Sequence, residues 1–384
     1  MFDPRGRRFV VALAVATSAA VGGCRQFPAA EVSQDLEQRG QEIFRYDTFG
    51  NDVFWTDTAR LNEIVDEIQP LEALALGFKV DQGNLNLLKF LLHNPFGASG
   101  TRELLRQNAV VGVQATVEDG RITRIGITCA LCHSTVDNAL LPGIGHRLDG
   151  WPNVDLEVGE VLSRLPIYTD AQKATLRSWP AGHYDPRFNF DGQSTPLVLP
   201  PAHGLAGVVN ETYTAEGPIS YWNAYVAVTQ MHGQGDFSDP RIPVHIDHEP
   251  DLVTPKLEAL RAYQHAIAAP PTPGASYDRG AARRGQAVFA ANCARCHVNG
   301  NLTDNNAGVL HSPAETGMDA AYAARTTQRR YRTTPLRGLW QHAPYFHDGS
   351  AETLGDVVDH YDRQLNLDLS GREKRDLVQY LRSL

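Results

Sequence analysis

A mainly α-helical chain of two similar domains with long loops is predicted by three features of these 384 residues. Two Cys-x-x-Cys-His pentapeptides recur, CALCH at 129–133 and CARCH at 293–297. A Pro-rich connector, HAIAAPPTPGASYDRG at 265–280, lies between them. Around both motifs the chain reads as short helices and Gly- and Pro-rich loops, with one alternating stretch that reads as a β-hairpin.

The pentapeptide has a chemical reason. Two thiols three positions apart can each add across a vinyl group of one haem, and the adjacent His can turn its imidazole onto the iron. A CxxC redox or zinc site would need no His after each pair. The sequence therefore predicts two covalently bound haem c groups. One is held by Cys129, Cys132 and His133, the other by Cys293, Cys296 and His297, in cytochrome c-like domains at 126–264 and 281–384.

The chain opens with Arg5, Arg7 and Arg8, then an apolar run from Phe9 to Val21 that is too short for a typical membrane span. V-G-G-C closes it with small residues, as in a bacterial lipoprotein leader. Residues 1–23 are expected to be a signal peptide and Cys24 the lipidated first residue of the mature chain; an ordinary secretory signal is the alternative. Both imply export, here to the periplasm, with membrane attachment only through the lipid. All five cysteines are then assigned and no disulfide is expected. The formal charge is −9. Losing 1–23, with three Arg and one Asp, leaves about −11, which excludes nucleic acid as a partner and favours a small redox protein with a basic patch.

Residues 24–125 read as a helical extension. Ser33 is a cap candidate for EVSQDLEQRGQEIFRYD, and Thr56 or Thr58 for TARLNEIVDEIQPLEALAL, which Pro70 interrupts. NLNLLKFLLHN predicts a short buried helix. VVGVQATVEDGRITRIGIT alternates on both sides of Glu118-Asp119-Gly120 and predicts the hairpin that delivers the chain to Cys129. A weak internal repeat follows the motifs: S-T-P-L (194–197), Gly204-Leu205 and YTAEGPISYWNAYV (213–226) after the first, T-T-P-L (333–336), Gly338-Leu339 and YFHDGSAETLGDVV (345–358) after the second.

The stretch YRTTPLRGLWQHAPYFHDGSAETLGDVVDHY (331–361) resembles the C-terminal domain of bacterial di-haem cytochrome c peroxidases and MauG-type enzymes. CHSTVDNALLPGIGH (132–146) is similar to their segment from first haem motif to distal histidine. The similarity spans about 125–384 and is patchy between 150 and 290, while 25–125 departs from it.

Distal ligands decide function, because an iron with two strong ligands passes electrons whereas one with an open position can meet peroxide. The resemblance implies His146 as the movable distal ligand of the first haem, with Met231 and His232 as rivals from the repeat. A loop histidine with no ligand role also fits the residues. For the second haem it implies Tyr361, where the peroxidases have Met; His360, Met318 or no ligand stay open. His347 reads as a contact to the haem periphery. Peroxide cleavage needs a general acid/base, for which Glu216 is the candidate unless it is a solvated loop carboxylate. Trp222 and Trp340 are candidates for an aromatic relay, or for plain packing. Relatives bind calcium through an Asn just before the first Thr-Pro; Ser194 stands there, so calcium is doubtful.

These readings together describe an exported di-haem c-type cytochrome, a peroxidase-type oxidoreductase that reduces hydrogen peroxide or uses it to oxidise a partner. A non-enzymatic electron-transfer cytochrome with two six-coordinate haems, or a haem sensor, are the alternatives.

Overall fold

The computed structural model describes residues 29–298 and 300–384, so the signal segment and Cys24 lie outside the described residues. Helices dominate, joined by long loops and by five two-stranded sheets among the described residues.

The architecture repeats one helix crossing. Helix α1 (Ala29–Tyr46) buries Gly40, Ile43 and Phe44 on one face. Much later the chain forms α2 (Ile219–Tyr225) and α3 (Leu257–Ala266), and α1 packs on α3. After the connector, α4 (Arg279–Asn292) packs in the same way on α6 (Gly371–Arg382), with α5 (Leu354–Leu365) beside them. Each crossing is set by a glycine. A Cβ on Gly40 would lie 2.0 Å from the Ala259 carbonyl oxygen, and one on Gly285 2.0 Å from that of Asp376. Each is locked by an aromatic pair, Phe44 with Tyr263 at 5.6 Å and Phe289 with Tyr380 at 5.1 Å.

Between α1 and the first motif lies an apolar insert. Short helices Leu61–Val65, Pro70–Ala75 and Ala98–Arg106 pack with the hairpin β1 (Val113–Glu118) and β2 (Arg121–Ile127). Asp119 (φ 48°) and Gly120 (φ 74°) make its two-residue turn, the primed geometry that matches strand twist. The base of the hairpin presses on the motif: Gly112 has φ 77°, and a Cβ there would sit 2.1 Å from the Leu131 nitrogen. The hydroxyl of Thr128 donates to the Arg45 carbonyl (3.1 Å), returning the chain to α1 just before Cys129.

Three local expectations are corrected. Ser33 lies inside α1 and donates to Glu37 (3.1 Å) instead of capping it. No Thr caps the helix at Leu61. Phe54–Thr58 is a π-helical turn, Arg60 enters the helix at φ 55°, and the Thr56 hydroxyl accepts from the Ile125 N–H (3.0 Å), a tertiary partner the local sequence does not reveal. The helix Leu87–Leu92 is not buried: Leu88 is 69% and Leu92 74% exposed. Fewer than two turns can cover one flank only, and five of this helix's six residues are apolar.

The two crossings make a direct test. Gly285→Ala forces α4 away from α6 and is expected to cost about 1–3 kcal/mol. Gly300→Ala, with open space around it, stays within about 0.5 kcal/mol, both read by thermal unfolding.

Candidate functional site

Both pentapeptides open onto apolar cavities. In the first, Ala130–His133 is one helical turn, and Cys129, Cys132 and His133 line a cavity of about 600 Å³, within the roughly 300–1,000 Å³ of ordinary ligand clefts. The His133 Nδ1 sits 3.0 Å from the Pro200 carbonyl oxygen. A carbonyl only accepts, so Nδ1 carries the proton and Nε2 keeps its lone pair for a ligand bond. Burial lowers the pKa of His133 and keeps the ring neutral, and it pushes the thiols of Cys129 and Cys132 up to about 12.

The second motif repeats this. Cys293, Cys296 and His297 line a cavity of about 260 Å³, and the His297 Nδ1 lies 3.0 Å from the Leu302 carbonyl oxygen. Burial again lowers the imidazole and raises the Cys293 thiol to about 11. Cys296, Asp304 and His311 place ligand atoms within 4.8 Å of one another. Both His311 nitrogens are spent, on Asp304 and Glu315 at 2.9 Å each, which leaves none for a metal.

Pro200, Pro201, Leu205, Glu211 and Tyr213 line both cavities and form the wall between them. Several buried polar atoms on these walls have no partner among the described residues: the Tyr213 hydroxyl, Thr212 Oγ1, Trp222 Nε1 and Arg332 Nε. Burial lowers the Arg332 guanidinium to about 10, and no carboxylate pairs with it among the described residues. Orphaned donors at the rim of apolar slots, beside paired thiols and a free imidazole nitrogen, fit a flat apolar macrocycle that carries carboxylates. The donor sets at both motifs fit haem c.

The structure separates the sequence-derived candidates. Met231 and His232 line the first cavity. His232 adopts φ 59° and stacks on Phe54 with ring centroids 3.6 Å apart. His232 is partly open to solvent, and desolvation on the cavity wall lowers its imidazole to about 4. His146 is not on that wall. It is exposed, with Nδ1 2.9 Å from Asp137 Oδ2. Glu216 does not face the cavity either, and it is not a solvated loop carboxylate: it is buried and accepts two bonds from Arg187 (2.9 and 2.7 Å) and one from Thr214 (3.0 Å).

In the second cavity Tyr361 and Met318 are wall residues, and burial raises the Tyr361 hydroxyl to about 12. His360 is turned to the Thr316 carbonyl (2.8 Å), and His347 lines the cavity with Nε2 2.9 Å from the Tyr331 hydroxyl. Trp222 lines the first cavity, whereas Trp340 packs on Trp151 at 5.6 Å. The Ser194 hydroxyl accepts from Trp179 Nε1 (2.8 Å).

Sequence reasoning missed Glu211, Tyr213 and Arg332 as wall residues. Tyr213 and Arg332 lie in stretches already singled out for repeat and resemblance; Glu211, held by His265 Nε2 (3.0 Å) and the Ile219 N–H (2.8 Å), carries no local signal.

Glu216→Gln separates a structural from an acid/base role. Breaking a buried charge pair costs about 3–5 kcal/mol, so the variant is expected to unfold at markedly lower temperature. A variant of unchanged stability would contradict the structural assignment.

Comparison with known proteins places relatives beside this chain. The RoxA-like, cytochrome c-like family model matches residues 330–366. Methylamine utilization protein MauG of Methylophilus methylotrophus is 26% identical over 304 residues, covering 69% of this chain and 79% of the relative. The protein of the same name from Methylorubrum extorquens is 34% identical over 120 residues, 27% of this chain and 34% of the relative. Among solved structures, a hydrazine synthase chain of Kuenenia stuttgartiensis has a TM-score of 0.37 at 20% identity, covering 57% of this chain and 81% of that one. A MauG-like protein associated with microbial copper homeostasis gives 0.35 at 20% identity, with 50% and 74% covered. The sequence matches, together with the paired Cys-x-x-Cys-His motifs, support a place for this chain in the di-haem cytochrome c peroxidase/MauG superfamily, whose members carry covalent c-type haem.

Proposed function

We propose that both motifs carry haem c and that the protein is an exported peroxidase-type oxidoreductase. In this reading the first haem meets hydrogen peroxide and the second is the port for electrons. The observation that carries it is the pair of imidazoles, each tied at Nδ1 to a backbone carbonyl and presenting Nε2 to a cavity beside two thiols. A bound haem supplies an iron that exchanges single electrons and, with one axial position open, can take peroxide.

This chain's residues would do the rest. His133 and His297 would hold the two irons through Nε2, and Arg332 would pair with a haem carboxylate. Reducing peroxide to two waters takes two electrons and two protons. Glu211 replaces Glu216 as the group placed to carry a proton, because it lines both cavities and is hydrogen-bonded by His265. Tyr361, on the wall of the second cavity, would be the residue to bind the second iron, and a tyrosinate there would favour the ferric state. His146 would have to swing from its Asp137 contact to reach the first iron.

The repeated crossing supports drawing the first domain from α1 to α3, with residues 47–128 as an insert, and the second from α4 to the C-terminus. The leader and Cys24 support export to the periplasm with a lipid anchor, and the acidic charge supports a small basic redox partner.

Met231 and His232 on the first cavity's wall favour a second reading, in which one of them closes the first iron permanently and the protein only transfers electrons. Electron paramagnetic resonance and cyanide titration of ferric and half-reduced protein distinguish the two. The peroxidase reading expects one haem to become high-spin on half-reduction and to bind cyanide, with peroxide turnover from a reduced cytochrome donor. Two haems that stay low-spin and bind no cyanide in either state would leave electron transfer alone.

A further inference from the structure

We infer that the insert between α1 and the first motif builds a binding chamber for an uncharged aliphatic chain, lying beside the first haem. The inference rests on the reading that the first motif carries haem.

The two cavities serve the same pentapeptide but differ greatly in size, about 600 against 260 Å³. The first exceeds the second by about 340 Å³, and its wall runs into the insert, along Ile64, Val65, Leu74, Phe78, Leu85 and Phe90. Of the wall that residues 55–127 supply, only two side chains carry a polar atom, and both are spent. The Thr101 hydroxyl donates to the Ile68 carbonyl (2.6 Å) and Trp55 Nε1 to the Met231 carbonyl (2.9 Å). Arg164, further round the cavity, is paired with Glu72 (2.6 Å). No side chain of the wall that residues 55–127 supply has a free hydrogen-bonding group or a counter-charge, so a polar or ionic ligand lying against it would lose its hydration without replacement. An alkyl chain would lose nothing.

The chamber also has an entrance of the same chemistry. Leu71, Leu87, Leu91, Phe96, Leu140 and Leu141 line the cavity and are at the same time 42–71% solvent-exposed. That accounts for the helix Leu87–Leu92, apolar but for Lys89, which buries none of its residues yet forms part of a rim leading inward. At the other end the branch joins the space in front of Cys129, Cys132 and His133. A chain entering between the leucines would therefore end beside the first haem.

Calorimetric titration of the haem-loaded protein with n-alkanols from butanol to decanol tests this. Saturable one-to-one binding is expected, tightening about fourfold per added methylene, with a negative heat-capacity change. Val65→Trp, which fills the chamber, is expected to weaken decanol binding at least tenfold. Should that variant not fold, Leu91→Ser at the exposed rim is expected to weaken it by a smaller factor.

Absent or non-saturable binding, an affinity independent of chain length, or wild-type affinity in the filled variant would overturn the inference. So would adsorption to neutral phospholipid vesicles with no uptake of free alkanol, since the leucines would then be a membrane rest only. A haemochrome assay on the same sample separates the failures: fewer than two haems per chain sinks the functional reading, while a full count with no alkanol bound sinks the chamber alone.

Discussion

The hydrogen bond from a histidine Nδ1 to a backbone carbonyl is the contact on which the remainder of the molecule turns. It appears twice, at Pro200 for His133 and at Leu302 for His297. Each fixes the tautomer and the direction of the ring, so that the other nitrogen can point only into the cavity. The carbonyls come from segments that must themselves be held. Pro200 belongs to the wall shared by the two cavities, and Leu302 follows the second motif by five residues. Helix crossings, hairpin and loops can be understood as the frame that keeps thiols, imidazole and carbonyl in one register.

The frame is duplicated, and the duplication explains what could be read in advance. The motifs, the hairpin turn at Asp119-Gly120 and the break at Pro70 follow from local chemistry and were legible. The repeat was legible only in part. Its clearest trace, Arg-Gly-Gln-Glu-Ile-Phe at 39–44 against Arg-Gly-Gln-Ala-Val-Phe at 284–289, is also the pair of glycine crossings. It escapes a reading ordered by distance from the motif, because Phe289 precedes Cys293 by four positions and Phe44 precedes Cys129 by 85. The insert displaced the signal without disturbing the packing.

Side-chain direction was the part that sequence could not supply. Glu216 lies in a loop-like stretch, yet Arg187, 29 positions earlier, turns it into a buried ion pair away from the cavity. Glu211, five residues before it, faces both cavities because its other oxygen is anchored by the Ile219 N–H. His146 and His232 exchange places for a similar reason, since an Asp137 contact holds one at the surface while a left-handed backbone and Phe54 hold the other on the wall. The apolar helix Leu87–Leu92 looked like core by composition, but composition does not record how much neighbouring surface is available to cover it.

The asymmetry between the cavities is where the function of this member is expected to differ from a bare electron carrier. One cavity is the smaller, about 260 Å³, and walled by Tyr361 and Met318; the other, about 600 Å³, is walled in part by an insert of almost wholly apolar surface. Denaturing mass spectrometry of the proteolysed protein tests the central claim most directly. The account predicts that the peptide carrying Cys129 and Cys132 and the peptide carrying Cys293 and Cys296 each bear one haem through thioether bonds. Either peptide found with free thiols or as a disulfide in fully matured protein would contradict it.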